Sequence, residues 1–276
     1  MRNVIMFYSG KLPAYLDATF KQIRLFNPTA KVHFITDEAN YYDPIFKKYG
    51  VTPWNKDSFH TPKIRQFEML SGKNLHDFWT ITATRFIYIE TFLKIFELAD
   101  VYHFDCDNLL YYDLEELHEK FVSKYKSMAI TAGGKDKCMA GFMFIKNGEA
   151  LAKMTSWWIT VLSFYGVQGI QAKFGMDMVH EMSLMKAYMD TEKGLVSLPG
   201  FPPSDFCSIF DAASWGQFVD AGVKPKDLAI SVFLITNPEY TVDWKKDELG
   251  RKIPYFKEVR INNLHIQSKQ LHKYVS

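Results

Sequence analysis

Cysteine is scarce in this chain: Cys106, Cys138 and Cys207 are all it has in 276 residues. Their number is odd and none stands in a CxxC pair, so neither a disulfide framework nor a structural zinc site is expected. Charge of one sign is scarce too. Against 33 basic residues stand 31 acidic ones, a formal net charge of +2. Without a basic stripe, nucleic acid is not an expected partner. The small positive excess is compatible with phosphate-bearing ligands. No apolar run approaches the ~20 residues that a membrane span needs. The opening MRNVIMFYSGKLPAY interrupts its short apolar run with charge and proline, unlike a secretory leader, so a soluble, cytoplasmic protein is expected. Internal repeats, low-complexity tracts and clear linkers are also missing, which favours a single domain over two small ones.

Core-forming residues, by contrast, are plentiful. Apolar residues make up 47% of the chain and aromatics 16%, enough for a substantial interior. NVIMFYS (3–9) reads as a buried first strand. Leu16, Phe20, Ile23 and Phe26 follow at helical spacing and stop at Asn27-Pro28. AKVHFITD (30–37) reads as a second strand. Strand, helix, strand is a βαβ unit, and its ligand edge lies at the C-terminal ends of parallel strands. Tyr8, Ser9 and Asp37 fall at that edge. Helices are expected over 61–70 and 82–100, the second capped by Thr82 or Thr84 and with Arg85 at its start. VYHF (101–104), SMAITAG (127–133) and GFMFIKNG (141–148) read as strands. EALAKMTSWWITVLSFY and DMVHEMSLMKAYM (177–189) read as helices, with Asp177 opening the second. Beyond them the chain is loop-rich, with one further strand expected over 228–236. The class is α/β.

The chemistry concentrates in YHFDCDNLLYYDL (102–114), where Asp105 and Asp107 flank Cys106 at a strand end. Two carboxylates this close raise each other's cost of ionisation unless a cation sits between them. A metal ion, a solvating turn, or two separate acid/base roles each accommodates the pair. Asp113 reads as the next helix's cap. Glu181 stands one helical turn beyond Asp177 and would share its face. His265 and Lys269 are four apart and share a face whether the tail is helical or extended. A neutral imidazole can ligate a metal, and an ammonium can pair with phosphate.

HFDCDNLLYYDLEEL resembles the Asp-x-Asp segment of nucleotide-sugar glycosyltransferases with the GT-A fold. Other segments follow in the order of that family: the helix from Arg85 before it, MAGFMFIKNGEAL and GMDMVHEMSL after it, and NNLHIQSKQLHKY near the end. The last is similar to a His-x-x-x-Lys tail, with Gln267 and Ser268 where the family usually has a glycine. The resemblance spans most of the chain. It implies a Rossmann-like, mixed but mostly parallel sheet flanked by helices, with a nucleotide-sugar half over about 1–112 and an acceptor half over about 113–276.

It also implies a metal-dependent glycosyltransferase. Mn2+ or Mg2+ would be held by Asp105, Asp107 and His265. Tyr8, Ser9, Asp37, Arg85, Asp105 and Lys269 would contact a UDP- or GDP-sugar donor, with the tail folding over it. Asp177, or else Glu181, would be the catalytic carboxylate facing a carbohydrate or other hydroxyl acceptor, near the aromatics Phe201 and Trp215. A lipid-linked acceptor would place the protein at a membrane surface. Two other readings remain. One is a HAD-like phosphatase or phosphotransferase, whose Asp-x-Asp normally lies on the first strand, with Thr or Val where Leu109 stands here. The other is a non-catalytic carbohydrate-binding relative.

Overall fold

The computed structural model describes residues 1–37, 39, 43–72, 77–132, 137–200, 208–213, 215–216 and 241–276. Phe201, Cys207 and the strand expected over 228–236 lie outside the described residues.

β1 (Asn3–Tyr8), β2 (Lys31–Thr36), β3 (Val51–Asn55) and β4 (Ala99–Phe104) form a parallel set in the order β3-β2-β1-β4. β6 (Met128–Ala132), β7 (Cys138–Asn147) and β8 (Leu195–Leu198) extend it past β4 in the order β7-β6-β8. Only β7 runs against the rest of this seven-stranded sheet. Both faces are covered, which is why the strands read as unbroken apolar runs. β1 sends Val4 and Met6 to one face and Ile5 and Phe7 to the other. On the Val4 face lie α1 (Leu16–Phe26), α2 (Pro44–Tyr49) and α5 (Leu114–Lys124). On the Ile5 face lie α3 (Pro62–Ser71), α4 (Asp77–Ile95), α6 (Gly148–Phe174) and α7 (Glu181–Glu192). Each large apolar side chain buried here contributes about 1.5–3 kcal/mol, so these faces set where the sheet edge, and any chemistry on it, comes to lie.

A second sheet joins β10 (Asp243–Lys246), β11 (Lys252–Phe256), β12 (Val259–His265) and β5 (Asn108–Leu110), with β9 (Ser208–Phe210) parallel to β12. Leu109, Ile209, Ile261 and Leu264 pack there with Phe26, Tyr111 and Trp215. Among the described residues, no helix is long and apolar enough to cross a membrane.

Several local expectations need correction. α4 begins at Asp77, so Arg85 stands more than two turns inside it rather than at its start. Thr82 and Thr84 are not its caps; their hydroxyls donate back to Trp79 O and Thr80 O. Asp177 does not open α7. His180 is the N-cap, because its side chain and that of Ser183 exchange reciprocal bonds with each other's backbone N–H. α6 runs past Tyr165 to Phe174, broken at Gly166, whose φ of 62° interrupts the helical path. β3 escaped the sequence reading because it contains Pro53. It is an edge strand, where a missing N–H is tolerated. Asp113 does cap α5, accepting from Glu115 N.

Candidate functional site

β4 delivers the Asp105-Cys106-Asp107 turn to the C-terminal edge of the parallel strands, and β5 then leaves for the second sheet. There β5 pairs antiparallel with β12, setting His265 opposite Asn108. The ladder continues one step, with Ile266 N donating to Asp107 O at 2.9 Å. The acidic turn and the tail are therefore neighbours because β5, which follows the turn, pairs with β12, which leads into the tail. Cys106 turns inward: its thiol faces Phe7 O, and Thr19 Oγ1 donates to its carbonyl at 2.5 Å. Burial, and then the two flanking carboxylates, push that thiol's pKa well up, so it is an inert filler.

Asp105, Asp107 and His265 each offer a ligand atom, all within 4.8 Å of one another. Arg85 Nη1 donates to Asp105 Oδ1 at 2.5 Å. Asp107, only 7% exposed, has His265 Nε2 3.1 Å from its Oδ1 and the Lys269 ammonium on its Oδ2. Burial alone would raise the Asp107 carboxyl, but His265 and Lys269 outweigh it and hold the group well below the ordinary carboxylate range. Burial would likewise lower His265, yet Asp107 and then Asp105 bring it above its usual value. His103, buried two residues before Asp105, donates from Nδ1 to Ile5 O at 2.8 Å, and burial takes its pKa down to about 4. His103 is therefore neutral, and Asp105 has Arg85 as its cationic partner.

The cleft beside these groups has a volume of about 550 Å³. Tyr8, Ser9, Tyr15 and Lys269 line it near the carboxylates; Phe78, Trp79, Ile81, Thr82, Glu181 and Met182 line it elsewhere. Of the residues expected from sequence, Tyr8, Ser9, Arg85, Asp105, Asp107, Glu181, His265 and Lys269 come together there. Asp37 does not line the cleft. It accepts from Ser9 Oγ (2.7 Å) and Gly10 N (2.5 Å) and pairs with Lys56, so it stands behind Ser9. Asp177 is exposed and also does not line the cleft. Glu181 is 4% exposed, and Thr82 Oγ1 donates to its Oε2 at 2.7 Å. Burial raises its carboxyl, with Arg85 and Thr82 opposing. Trp215 is fully buried against Phe256 and is core, not cleft wall. The tail is packed as well: Ile266 and Leu271 are buried, and Tyr111 Oη donates to Tyr274 O.

Three residues not singled out from sequence hold the site together. Asn108 Nδ2 donates to Gly141 O at 2.5 Å, and Asn108 Oδ1 accepts from Asn263 Nδ2 at 3.1 Å. Gly141 itself leaves room for the imidazole, since a Cβ there would lie 2.7 Å from His265 Nδ1. The one local signal was the glycine in MAGF, inside a strand, where it often marks close approach.

No protein-family model matches this chain, and no curated protein sequence matches it. Among solved structures, the fold is similar to that of mouse xyloside xylosyltransferase 1 in its apo form, with a TM-score of 0.51 at 14% identity, over 72% of this chain and 85% of that one. A weaker likeness is to the glycosyltransferase GlyE of Streptococcus pneumoniae, with a TM-score of 0.40 at 17% identity, over 71% of this chain but only 45% of GlyE. That second likeness is too distant to extend the comparison. At 14% identity the first speaks for architecture alone, and it agrees with the sheet order and flanking helices: the chain has a GT-A type of fold.

Proposed function

We propose that this chain is a metal-dependent glycosyltransferase, moving a sugar from a nucleoside-diphosphate sugar to a hydroxyl of a carbohydrate or similar acceptor. The observation that carries the reading is the Asp105–Asp107–His265 cluster at the C-terminal strand edge of a GT-A type fold, with Arg85 and Lys269 beside it. Two carboxylates and an imidazole fit Mn2+ or Mg2+. Such oxygen-loving ions take about six ligands, which leaves places for phosphate oxygens and water. His265 Nε2, the nitrogen facing Asp107, is the one available to an ion. When bound, the ion would neutralise charge on the departing diphosphate.

The chain's own side chains supply the rest of the proposal. Arg85 and Lys269 are the cations that phosphates can reach. Tyr8 and Ser9 hold the nucleoside, and Asp37 orients Ser9. Glu181 takes the catalytic role, because it lies in the cleft while Asp177 does not. Thr82 holds its carboxyl by a hydrogen bond, the Arg85 charge favours its ionised form, and that form can accept the acceptor's proton. A HAD-like reaction fits less well: its first aspartate must be free to attack, whereas Asp105 is held by Arg85 and follows the fourth strand of the chain.

A thermal-shift screen of UDP, GDP, CMP and TDP with and without manganese tests the donor assignment. One nucleoside diphosphate should stabilise the protein much more with the metal than without it. Equal shifts in both conditions would count against metal-held diphosphate.

A further inference from the structure

A carboxylate that no sequence pattern indicated lies against the end of β12. Asp211 directly follows β9 and is 0% exposed. Its Oδ1 accepts from Trp215 N at 2.8 Å, and its Oδ2 accepts from Gly216 N at 2.8 Å and from His265 N at 3.0 Å. Asn263, two residues before His265, clamps the same position. Its Oδ1 accepts from Asp211 N at 3.0 Å, and its Nδ2 donates to Asp211 O at 3.1 Å and to Asn108 Oδ1. Gly216 approaches so closely that a Cβ there would lie 2.0 Å from His265 O.

We propose that Asp211 is a positioning residue for the metal site: it fixes the His265 backbone through its N–H, and so fixes how the imidazole meets Asp105 and Asp107. The inference rests on the metal-dependent reading above. His265 is the last residue of its strand, where a ladder has least support on its far side. A carboxylate accepting several N–H groups makes charge-assisted bonds that are stronger than neutral ones. Were Asp211 there only to satisfy Trp215 N and Gly216 N, those two bonds would suffice. The third bond and the Gly216 approach reach the His265 backbone instead, and the Asn263 clamp holds Asp211's own backbone beside Asn108. Partners of this kind, which orient ligands without touching the metal, typically change metal affinity by about 10- to 100-fold when removed.

The test is Mn2+ binding to the full chain by calorimetry, with free Mn2+ followed by electron paramagnetic resonance, in wild type, Asp211→Asn, His265→Ala and the double variant. Asparagine keeps one acceptor oxygen but turns an amide N–H2 toward backbone donors, so at least one bond is lost. Asp211→Asn is expected to weaken Mn2+ binding about tenfold or more. That loss should disappear in the His265→Ala background, since Asp211 acts through the placement of the imidazole. An equal loss with and without the imidazole, or unchanged affinity in Asp211→Asn, overturns the inference. Gly216→Ala presses on the same carbonyl and serves as the second variant if Asp211→Asn does not fold; it must show the same dependence on His265. A wild type that binds no Mn2+ contradicts the metal reading itself. A wild type that loses Mn2+ on His265→Ala but not on Asp211→Asn or Gly216→Ala contradicts only the positioning role.

Discussion

Asp105 and Asp107 tolerate each other because each has its own cation. Arg85 serves the first, and His265 with Lys269 serves the second. The two substitutions should therefore differ. Asp105→Asn is predicted to lower turnover on the order of a hundredfold or more with little change in the unfolding midpoint. Asp107→Asn should lose turnover and stability together, because it leaves His265 and Lys269 facing an uncharged group in a buried place. Parallel turnover assays and urea denaturation check this; full turnover by Asp105→Asn would sink it. Glu181 offers a second contrast. Its raised carboxyl means that the fold favours the protonated form. The stability it contributes is complete below the ordinary carboxyl range, near about 4.3, and is lost as pH rises through the raised value. Glu181→Gln keeps an acceptor for Thr82, so it should flatten that fall in a urea-unfolding series across pH, while turnover drops about a hundredfold. Parallel stability curves for the two proteins would contradict the assignment. Asp177→Asn, on an exposed position, should leave turnover near normal. At this scale the acidic pair and the tail histidine were legible because they are a short pattern and a spacing. Asp211 was not, because its partners are brought to it only when β12 lies beside β9.

Elements explain how the site is held together. Gly141 sits in β7 beside β4, where its O accepts from Asp105 N and Asn108 Nδ2. Gly141→Ala would push a Cβ to within 2.7 Å of His265 Nδ1 and 3.1 Å of Asn108 Nδ2. It is predicted to cost about 1–3 kcal/mol and to blunt the thermal shift produced by Mn2+. An undiminished Mn2+ shift would show that the imidazole has more room than the geometry allows. The tail is a different matter from a loose lid. Cutting the chain at 263 would remove the end of β12, expose Ile261 and Ile253, and break the bonds from Tyr111 and Ser276. Lys269→Met probes the tail's charge without that damage. Strands and helices with strong periodic or unbroken apolar runs were readable, β1, α1, β2, β4, β6 and β7 among them. Boundaries were less so. The start of α7 depends on a histidine–serine capping pair, and β3 carries a proline that only an edge position excuses.

Across the whole molecule, one turn belongs to two sheets. Asp105 directly follows β4, and β5 carries the chain on from Asp107 into the sheet that holds His265. The general fold was legible because βαβ patterning opens the chain. The second sheet was not, since β5 and β9 are three residues each and find their partner β12 far away in sequence. The proposed reaction is metal-dependent cleavage of a sugar nucleotide at that junction. Its most direct test is release of nucleoside diphosphate from a panel of UDP- and GDP-sugars by the full chain, with Mn2+, with Mg2+ and with excess chelator, beside Asp105→Asn. At least one donor should be consumed with metal, at a rate that chelator abolishes and Asp105→Asn does not reach. Release that persists in chelator, release by Asp105→Asn at the wild-type rate, or no release from any donor with metal would contradict it.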